Sequence, residues 1–431
     1  MICLLPDNYR DAQYMDHGLI LITLALIFAF LMAWGVGAND VANSVGTSVG
    51  SKAITVTQAI IIAAIFESLG AILAGGQVTG AISQGIINPV SFNGHPVIFV
   101  YGMLSALLAT GIWLIIASRF GWPVSTTHSI IGAIIGFALF CVGPSKIHWS
   151  FVTNIVLAWI VTPAISGIIA FLLFRSVQAF IFNTKQPLQN AKRIVPVYIF
   201  IVTAVITGVT IFTGLKHLHI NLSTKEQYIL TIGLSLTAAI IGAIILATKK
   251  SLKNETDELN IKLLEQIFSV LMVFTACAMA FAHGSNDVAN AMGPLAAIVN
   301  IVKNPSAITG TYAIPAWVMP FGAVGIVVGL AMYGHKIIAT IGSEITQLTP
   351  SRGFAAQLAT ASTVIVASGL GLPISTTQAL VGGVLGVGMA RGMSAINLNV
   401  VRNILASWLI TVPAGAVLSA IFFVIIRACF S

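Results

Sequence analysis

The sequence predicts an all-α protein that crosses a membrane many times, and three observations support this fold class. Only 7% of the 431 residues are charged and 57% are hydrophobic, whereas soluble domains carry roughly 25% charged residues. Long uncharged runs, such as the one at residues 18–34, recur along the whole chain and suit membrane-spanning helices. They are too long for the alternating strands of a membrane β-barrel. Finally, two short motifs each occur twice, in the same order.

The chain begins with a short N-terminal tail, residues 1–18, which contains Asp7, Arg10, Asp11 and Asp16. A cleavable secretion signal would begin with a basic region instead. We therefore expect the first apolar run to remain in the protein as a membrane anchor.

The two repeated motifs divide the chain into two related halves. GANDVANSVG at 37–46 returns as GSNDVANAMG at 284–293, identical at seven of ten positions. WPVSTTHSIIGAIIG at 122–136 returns as LPISTTQALVGGVLG at 372–386, identical at six of fifteen positions. The displacements are 247 and 250 residues. Two motifs repeated at nearly the same displacement indicate a duplicated structural unit.

This duplication predicts a transmembrane repeat 1 over 19–178 and a repeat 2 over 263–431, joined by residues 179–262. The joining region contains two plain spans at 194–215 and 228–248, together with their loops. Counting hairpins, we expect roughly ten to twelve membrane elements.

Basic residues in the short loops predict the orientation of the chain. The loops 175–193 and 249–262 carry four basic residues each, Arg175, Lys185, Lys192 and Arg193 in the first and Lys249, Lys250, Lys253 and Lys262 in the second. Loops rich in lysine and arginine face the cytoplasm. If each repeat crosses an odd number of times, the repeats are inverted and both termini lie outside a plasma (inner) membrane. Inverted repeats with interrupted helices are typical of secondary transporters.

The second motif places hydroxyl side chains at the start of a helix. Each copy follows a turn signal, FGWP at 120–123 or LGLP at 370–373, and proline is favoured in a first helical turn. The apolar segments before these turns, 98–118 and 354–369, are expected to be arms of re-entrant hairpins whose tips meet inside the membrane. Helix N-termini and hydroxyls bind oxyanions, although membrane hydroxyls also bond to their own helix. The tips could hold one tetrahedral anion through Ser125, Thr126, Thr127, Ser375, Thr376 and Thr377.

The first motif supplies carboxylate and amide groups, which suit a cation. Its residues are Asn39, Asp40 and Asn43 in repeat 1 and Asn286, Asp287 and Asn290 in repeat 2. A carboxylate at membrane depth is costly and indicates a functional site. Hard oxygen ligands favour a small cation such as sodium, and the nearby glycines permit an unwound backbone whose carbonyls would join the ligands. Neither motif contains lysine or arginine, so helix ends, hydroxyls and bound cations would together balance the charge of an anion. Anion and cation would then bind together, as symport requires.

With these motifs in both halves, the chain resembles the inorganic phosphate transporter (PiT) family over nearly its whole length. The resemblance implies inorganic phosphate as substrate, symport with sodium or protons, and alternating access. By position, it implies cation ligation near the Asp and Asn residues of the first motif and phosphate contacts at the Ser and Thr residues of the second. It also matches Glu67, in AIFESLG, to a buried glutamate of the family.

Two positions depart from the family pattern. Gln357 and Gln378 stand where many relatives have a glutamate and a histidine. Gln357 can donate to phosphate, so it joins the predicted phosphate site, but it cannot titrate. Glu67 and His283 are therefore our candidates for proton coupling, although each could also have a purely structural role. We expect the side chains of Lys52 and Arg352 to extend to the membrane interface.

Other function classes fit less well. An uncoupled phosphate or anion channel, or a phosphate sensor built on a transporter scaffold, remains an alternative. We expect no enzyme and no cofactor, because the sequence shows no activated nucleophile, closed metal-ligand set or cofactor motif. The net charge of +8 resides mainly in loops, which suits lipid headgroups rather than nucleic acid. The expected partners are phosphate, sodium or protons, the bilayer, and a second copy of the chain if the protein forms a homo-oligomer.

Overall fold

The computed structural model describes residues 11–430 except 121, 123, 216–219, 221, 249–256, 310–312, 342–347 and 393–397. Within this part, the regular structure is helical and comprises thirteen α-helices together with short 3₁₀ and π segments. The helices are α1 (Asp11–Gly50), α2 (Val56–Ala74), α3 (Gly76–Gly80), α4 (Pro96–Phe120), α5 (Thr126–Cys141), α6 (Trp149–Val177), α7 (Pro187–Phe212), α8 (Thr224–Thr248), α9 (Asp257–Lys303), α10 (Val318–Ile341), α11 (Pro350–Gly369), α12 (Thr376–Arg391) and α13 (Leu398–Phe430).

Eight helices in the described part are long and apolar enough to cross a membrane. Many of their large side chains are exposed, for example Leu409 at 78% and Ile160 at 65%. Exposed apolar side chains of this number and size require a lipid environment. The all-α, multi-pass fold class is therefore confirmed.

The predicted linking spans correspond to α7 and α8. Most of the N-terminal tail (residues 1–10) and Lys249, Lys250 and Lys253 of the second basic loop lie outside the described residues.

The helices of the two halves pack in matching pairs. α1 packs against α10 and α2 against α9, while α5 packs against α13 and α6 against α12. When the two halves are exchanged, the pair α1–α10 corresponds to α9–α2, and the pair α5–α13 corresponds to α12–α6. Most of the packing of either half is therefore provided by its counterpart. The antiparallel orientation of the halves in the membrane remains a prediction.

The first motif lies within continuous helix in both halves, so the expected unwinding of the backbone is not found. α1 and α9 run without interruption through Asp40 and Asp287. The glycines serve close helix contact instead. A Cβ on Gly37 would lie 2.0 Å from the Ile326 carbonyl oxygen, and one on Gly284 would lie 2.0 Å from that of Glu67. Glycine is thus required because two backbones touch, and the helix keeps its own hydrogen bonds.

Two helical hairpins approach the middle of the molecule from opposite ends of α9. The first hairpin is α4–α5, and the 3₁₀ turn before it, Pro89–Phe92, packs near the 3₁₀ turn Pro305–Thr309 that follows α9. The second hairpin is α11–α12, and its first turn contacts Glu265 near the start of α9. Two hydrophobic cores surround these hairpins, and on α9 they are separated by the polar stretch 283–287.

Candidate functional site

Each hairpin tip is a helix start capped by its own serine. Ser125 has extended backbone (φ −94°, ψ 118°) and its Oγ accepts from the His128 N–H at 3.2 Å. Ser375 caps α12 in the same way, accepting from Gln378 N–H at 3.2 Å. Capping satisfies one of the free N–H groups that begin a helix. The predicted first turns therefore begin one residue later than the serines, and Pro373 precedes the cap rather than entering the helix. Pro123 lies outside the described residues.

The two tips touch each other. The Thr127 hydroxyl of the first tip donates to the Ile374 carbonyl of the second at 2.9 Å. Ser125, Thr126, Ser375 and Thr376 are at most 2% exposed, and Thr377 is 8% exposed. The structure thus brings all six predicted hydroxyl residues into one buried region.

The asparagines of the first motif connect each half to the hairpin of the other. Asn43 Nδ2 donates to Thr377 Oγ1 at 2.8 Å, and Asn290 Nδ2 donates to Thr127 Oγ1 at 3.0 Å. Positions 43 and 290 correspond under the 247-residue displacement, and 127 and 377 under the 250-residue displacement. The same contact is therefore made twice, once from each half.

The two aspartates of the motif meet at this junction with unequal surroundings. Asp287 accepts from Thr376 at 2.7 Å, Asn290 at 3.3 Å and Thr127 at 3.4 Å. Asp40 Oδ1 accepts from the neighbouring amides of Asn39 and Asn43, both at 3.3 Å, and the Thr126 side chain lies close to the same carboxylate. Ligand atoms of Asp40, His283 and Asp287 all lie within 4.8 Å of one another. Two buried carboxylates this close are stable only if a positive charge lies beside them or one of them carries a proton.

Several buried oxygens at this junction accept no hydrogen bond from the described residues. They are Asp40 Oδ2, Asn286 Oδ1 and Asn290 Oδ1. An acceptor left without a donor costs free energy when buried, unless another positive group binds it. Carboxylate and amide oxygens are ligands that a small, hard cation prefers. The donor set therefore fits the predicted coupling cation.

Glu67 and His283 extend the site on one side only. His283 Nδ1 lies 3.1 Å from Glu67 Oε1, and its Nε2 lies 3.0 Å from Asp287 Oδ2. Ser44 donates to Glu67 Oε1 at 2.6 Å. A histidine between two carboxylates can carry a proton from one to the other. The corresponding position of repeat 1 is Val36, so Asp40 has no such histidine on its own helix.

Gln357 lies apart from the hairpin tips, on α11. Its Oε1 accepts from Ser48 at 2.9 Å and from Thr275 at 3.0 Å, and its Nε2 donates to the Ser44 carbonyl at 2.9 Å. The protein itself therefore occupies both oxygen lone pairs and one of its two amide protons.

Several site residues were missed by the sequence reasoning. Ser44, Ser48 and Thr275 line the Glu67–Gln357 side, and Ser118 and Ser368 contact Asn39 and Asn286 at 3.5 and 3.0 Å. Ser118 and Ser368 are 250 residues apart, so extending the repeat comparison would have found them. No repeated position in the sequence would have identified Thr275. His128 is buried with its ring centroid 3.8 Å from that of Trp159, a packing contact behind the tip.

A buried junction of carboxylate, amide and hydroxyl groups between two hairpin tips, inside a multi-pass helical protein, is typical of a membrane transport protein. The comparisons with known proteins specify the class. A family model described as the phosphate transporter family matches residues 36–419. The chain belongs to the phosphate transporter family.

Individual relatives agree with this assignment. A protein described as a phosphate permease of Haemophilus influenzae is 53% identical over 416 residues, covering 96% of this chain and 99% of the relative. The inorganic phosphate transporter 2-1, chloroplastic, of Arabidopsis thaliana is 40% identical, covering 92% of this chain and 70% of the relative. A solved structure described as the sodium-dependent phosphate transporter is similar with a TM-score of 0.86 at 37% identity, covering 95% of this chain and 99% of that one.

Proposed function

We propose that this protein takes up inorganic phosphate by symport with a cation, sodium being favoured, through alternating access. One observation carries the proposal: the two Asp/Asn motifs and both hairpin tips meet in a single buried junction. Phosphate would be held at the tips by Ser125, Thr126 and Thr127 and by Ser375, Thr376 and Thr377, with Gln357 as a more distant contributor.

The coupling of phosphate binding to cation binding would follow from the charges at the junction. The junction contains two carboxylates, and phosphate adds further negative charge in the same buried space. Repulsion between such charges is large where water is excluded. Phosphate would therefore bind well only after cations occupy the oxygens of Asn39, Asp40, Asn43, Asn286, Asp287 and Asn290. Obligatory joint binding is what distinguishes a symporter from a channel.

Movement would follow from the contacts between halves. Because each motif is bonded to the hairpin of the other half, cation binding would favour closure of both tips around phosphate. Rocking of repeat 1, 19–178, against repeat 2, 263–431, would then expose the junction to the cytoplasm. In this proposal the repeats are inverted, the spans over 179–262 join them, and both termini lie outside the plasma membrane.

Proton coupling is the second candidate, and the Glu67–His283–Asp287 arrangement favours it. Labelled phosphate uptake into proteoliposomes separates the two. We expect accumulation under an imposed sodium gradient at equal pH, and none under a pH gradient without sodium. The reverse result would assign coupling to Glu67 and His283. Equilibration without accumulation under either gradient would overturn symport and leave an uncoupled channel.

A further inference from the structure

Trp159, on α6, contacts both hairpin tips. Its indole Nε1 donates to the Pro373 carbonyl oxygen of the second tip at 3.3 Å. Its ring centroid lies 3.8 Å from that of His128, in the first turn of α5, so the two rings are in direct contact. The Gln378 side chain and the Trp408 backbone lie beside the same histidine, but neither ring nitrogen forms a hydrogen bond with a described residue. Packing therefore holds the His128 ring in place, and Trp159 provides one side of that packing.

These contacts join the direct contact between the tips in a closed circuit. Thr127, the neighbour of His128, donates to the Ile374 carbonyl oxygen at 2.9 Å. Ile374 in turn follows Pro373 directly. The second tip is thus held at two successive carbonyl groups, one by Thr127 and one by Trp159. In each tip, the contact with Trp159 lies next to a residue that joins the tips.

Backbone contacts attach α6 to the second hairpin and α13 to the first. A Cβ on Gly382 of α12 would lie 2.1 Å from the Pro163 carbonyl oxygen of α6. A Cβ on Gly132 of α5 would lie 2.4 Å from the Val412 carbonyl oxygen of α13. Helices whose backbones touch in this way form one tightly packed unit. The tryptophan on α6 is therefore anchored to the second hairpin, and its ring contact crosses to the first.

The corresponding tryptophan of repeat 2 makes different contacts. The backbone contacts relate α6 to α13 by a displacement of 249 residues, which places Trp408 opposite Trp159. Trp408 packs against Val381 of α12, and its Nε1 donates to no described residue. The counterpart of His128 is Gln378, which has no aromatic ring. The two related tryptophans therefore provide an internal comparison.

We propose that Trp159 is a positioning residue for phosphate binding, which holds the two hairpin tips at the separation at which their hydroxyl groups bind one phosphate ion. The Nε1 hydrogen bond fixes the indole on the second tip, and the indole ring supports His128 and, through it, Thr127 of the first tip. Binding groups that are held in place before the ligand arrives bind it more tightly. The inference rests on the proposed phosphate transport.

The test separates the hydrogen bond of Trp159 from its ring contact. Trp159→Phe removes the N–H group and keeps an aromatic ring, whereas Trp159→Leu removes both. Trp408→Phe and Trp408→Leu are the matched controls, since they make the same changes at the counterpart. Binding of labelled phosphate to the purified full-length protein at saturating sodium gives the Kd. Uptake into proteoliposomes gives the KM and the maximal rate, and thermal unfolding shows whether each variant is folded.

We expect Trp159→Phe to raise the phosphate Kd and KM about fivefold, the effect of one net hydrogen bond. Trp159→Leu should raise both about twentyfold, because the aromatic contact is lost as well. The maximal rate should change less than about twofold, as for a loss of binding alone. Trp408→Phe and Trp408→Leu should change the Kd less than about twofold, although both leucine variants should lower the unfolding temperature.

A double-mutant cycle tests whether Trp159 acts through His128. His128→Leu should raise the Kd of the unmodified protein about threefold, because it removes the aromatic contact. In Trp159→Leu the same change should have no further effect, since that contact is already lost. Additive effects of the two substitutions would contradict this route.

Three results would overturn the positioning role while leaving phosphate transport intact. They are an unchanged Kd in Trp159→Phe, equal Kd changes in Trp159→Phe and Trp408→Phe, and a lower maximal rate at unchanged Kd. If Trp159→Leu does not fold, Trp159→Phe alone decides the outcome. An unmodified protein that neither binds nor accumulates phosphate would instead contradict the proposed function itself.

Discussion

Asp40 and Asp287 occupy corresponding positions, yet their side chains are satisfied to different degrees. Asp287 accepts hydrogen bonds from three described side chains, on both of its oxygens, whereas Asp40 accepts from two neighbouring amides on Oδ1 and has no hydrogen-bond donor on Oδ2. Asp40 therefore depends more on a bound cation than Asp287 does. The charge of a buried, uncompensated carboxylate costs several kcal/mol by order of magnitude.

This inequality predicts the effect of Asp40→Asn. Without sodium, the variant should unfold at a higher temperature than the unmodified protein, because it lacks a buried charge. Sodium should no longer stabilise it, and sodium-driven uptake should fall at least about tenfold, the equivalent of about 1.4 kcal/mol. Thermal unfolding in detergent with sodium or choline chloride measures the unfolding temperature without sodium and the stabilisation by sodium. Asp40→Glu, which retains the charge, is the control, and unchanged sodium stabilisation in Asp40→Asn would contradict a cation site there.

Thr127 and Thr377 provide a matched pair. Both accept from an asparagine of the opposite half, but only Thr127 also bonds to the Ile374 carbonyl and Asp287. We expect Thr127→Val to raise the phosphate KM about fivefold and Thr377→Val to raise it less, because a net hydrogen bond is worth about 1 kcal/mol. Uptake kinetics at saturating sodium measure both. A larger effect of Thr377→Val would contradict a special role for the contact between the tips.

At the scale of single residues, the repeated motifs predicted which side chains lie at the junction, but not every residue that these side chains contact. The six hydroxyl residues and the Asp and Asn residues could be identified because each occurs twice in the same pattern. The place of Gln357 could not be predicted, since its partners Ser48 and Thr275 lie on two other helices and have no repeated signal. A contact made by three distant segments depends on tertiary packing alone.

At the scale of helices, close backbone contacts position the motifs. Gly284 lets α9 approach α2 at Glu67, and Gly37 lets α1 approach α10 at Ile326. The sequence interpretation was that such glycines permit an unwound backbone, but α1 and α9 are continuous through both motifs. Glycine near a polar motif is compatible with either unwinding or tight packing, and only the neighbouring helix decides between them.

Gly284→Ala should therefore destabilise the protein by about 1–3 kcal/mol, because its Cβ would overlap the backbone of α2. Gly46 is the matched control on α1, since a Cβ there would meet only the Ala42 side chain, at an ordinary 3.6 Å. Gly46→Ala should leave stability unchanged or slightly raise it through helix propensity. Thermal unfolding of the purified variants measures the difference, and equal stability of the two would show that α9 can shift away from α2.

At the scale of the whole molecule, the orientation in the membrane is directly testable. Lys185 lines a cavity of about 610 Å³ with Asn260 and Leu264, close to the start of α9, whereas Lys303 ends the same helix. In a variant without native cysteines, we expect Lys303→Cys to react with a membrane-impermeant thiol reagent in intact cells. Lys185→Cys should react only after the membrane is permeabilised. The opposite labelling pattern would reverse the proposed orientation.

The crossed contacts between Asn43 and Thr377 and between Asn290 and Thr127 also constrain how the protein is made. A ribosome must add 334 further residues after Asn43 before its hydroxyl partner exists. Until then, the newly inserted α1 holds a carboxylate in the bilayer without its final surroundings, a situation that membranes tolerate poorly. Assembly of the first half must therefore wait for the second. A nascent chain interrupted between the two hairpins would therefore retain α1 without the threonine that Asn43 contacts in the complete protein.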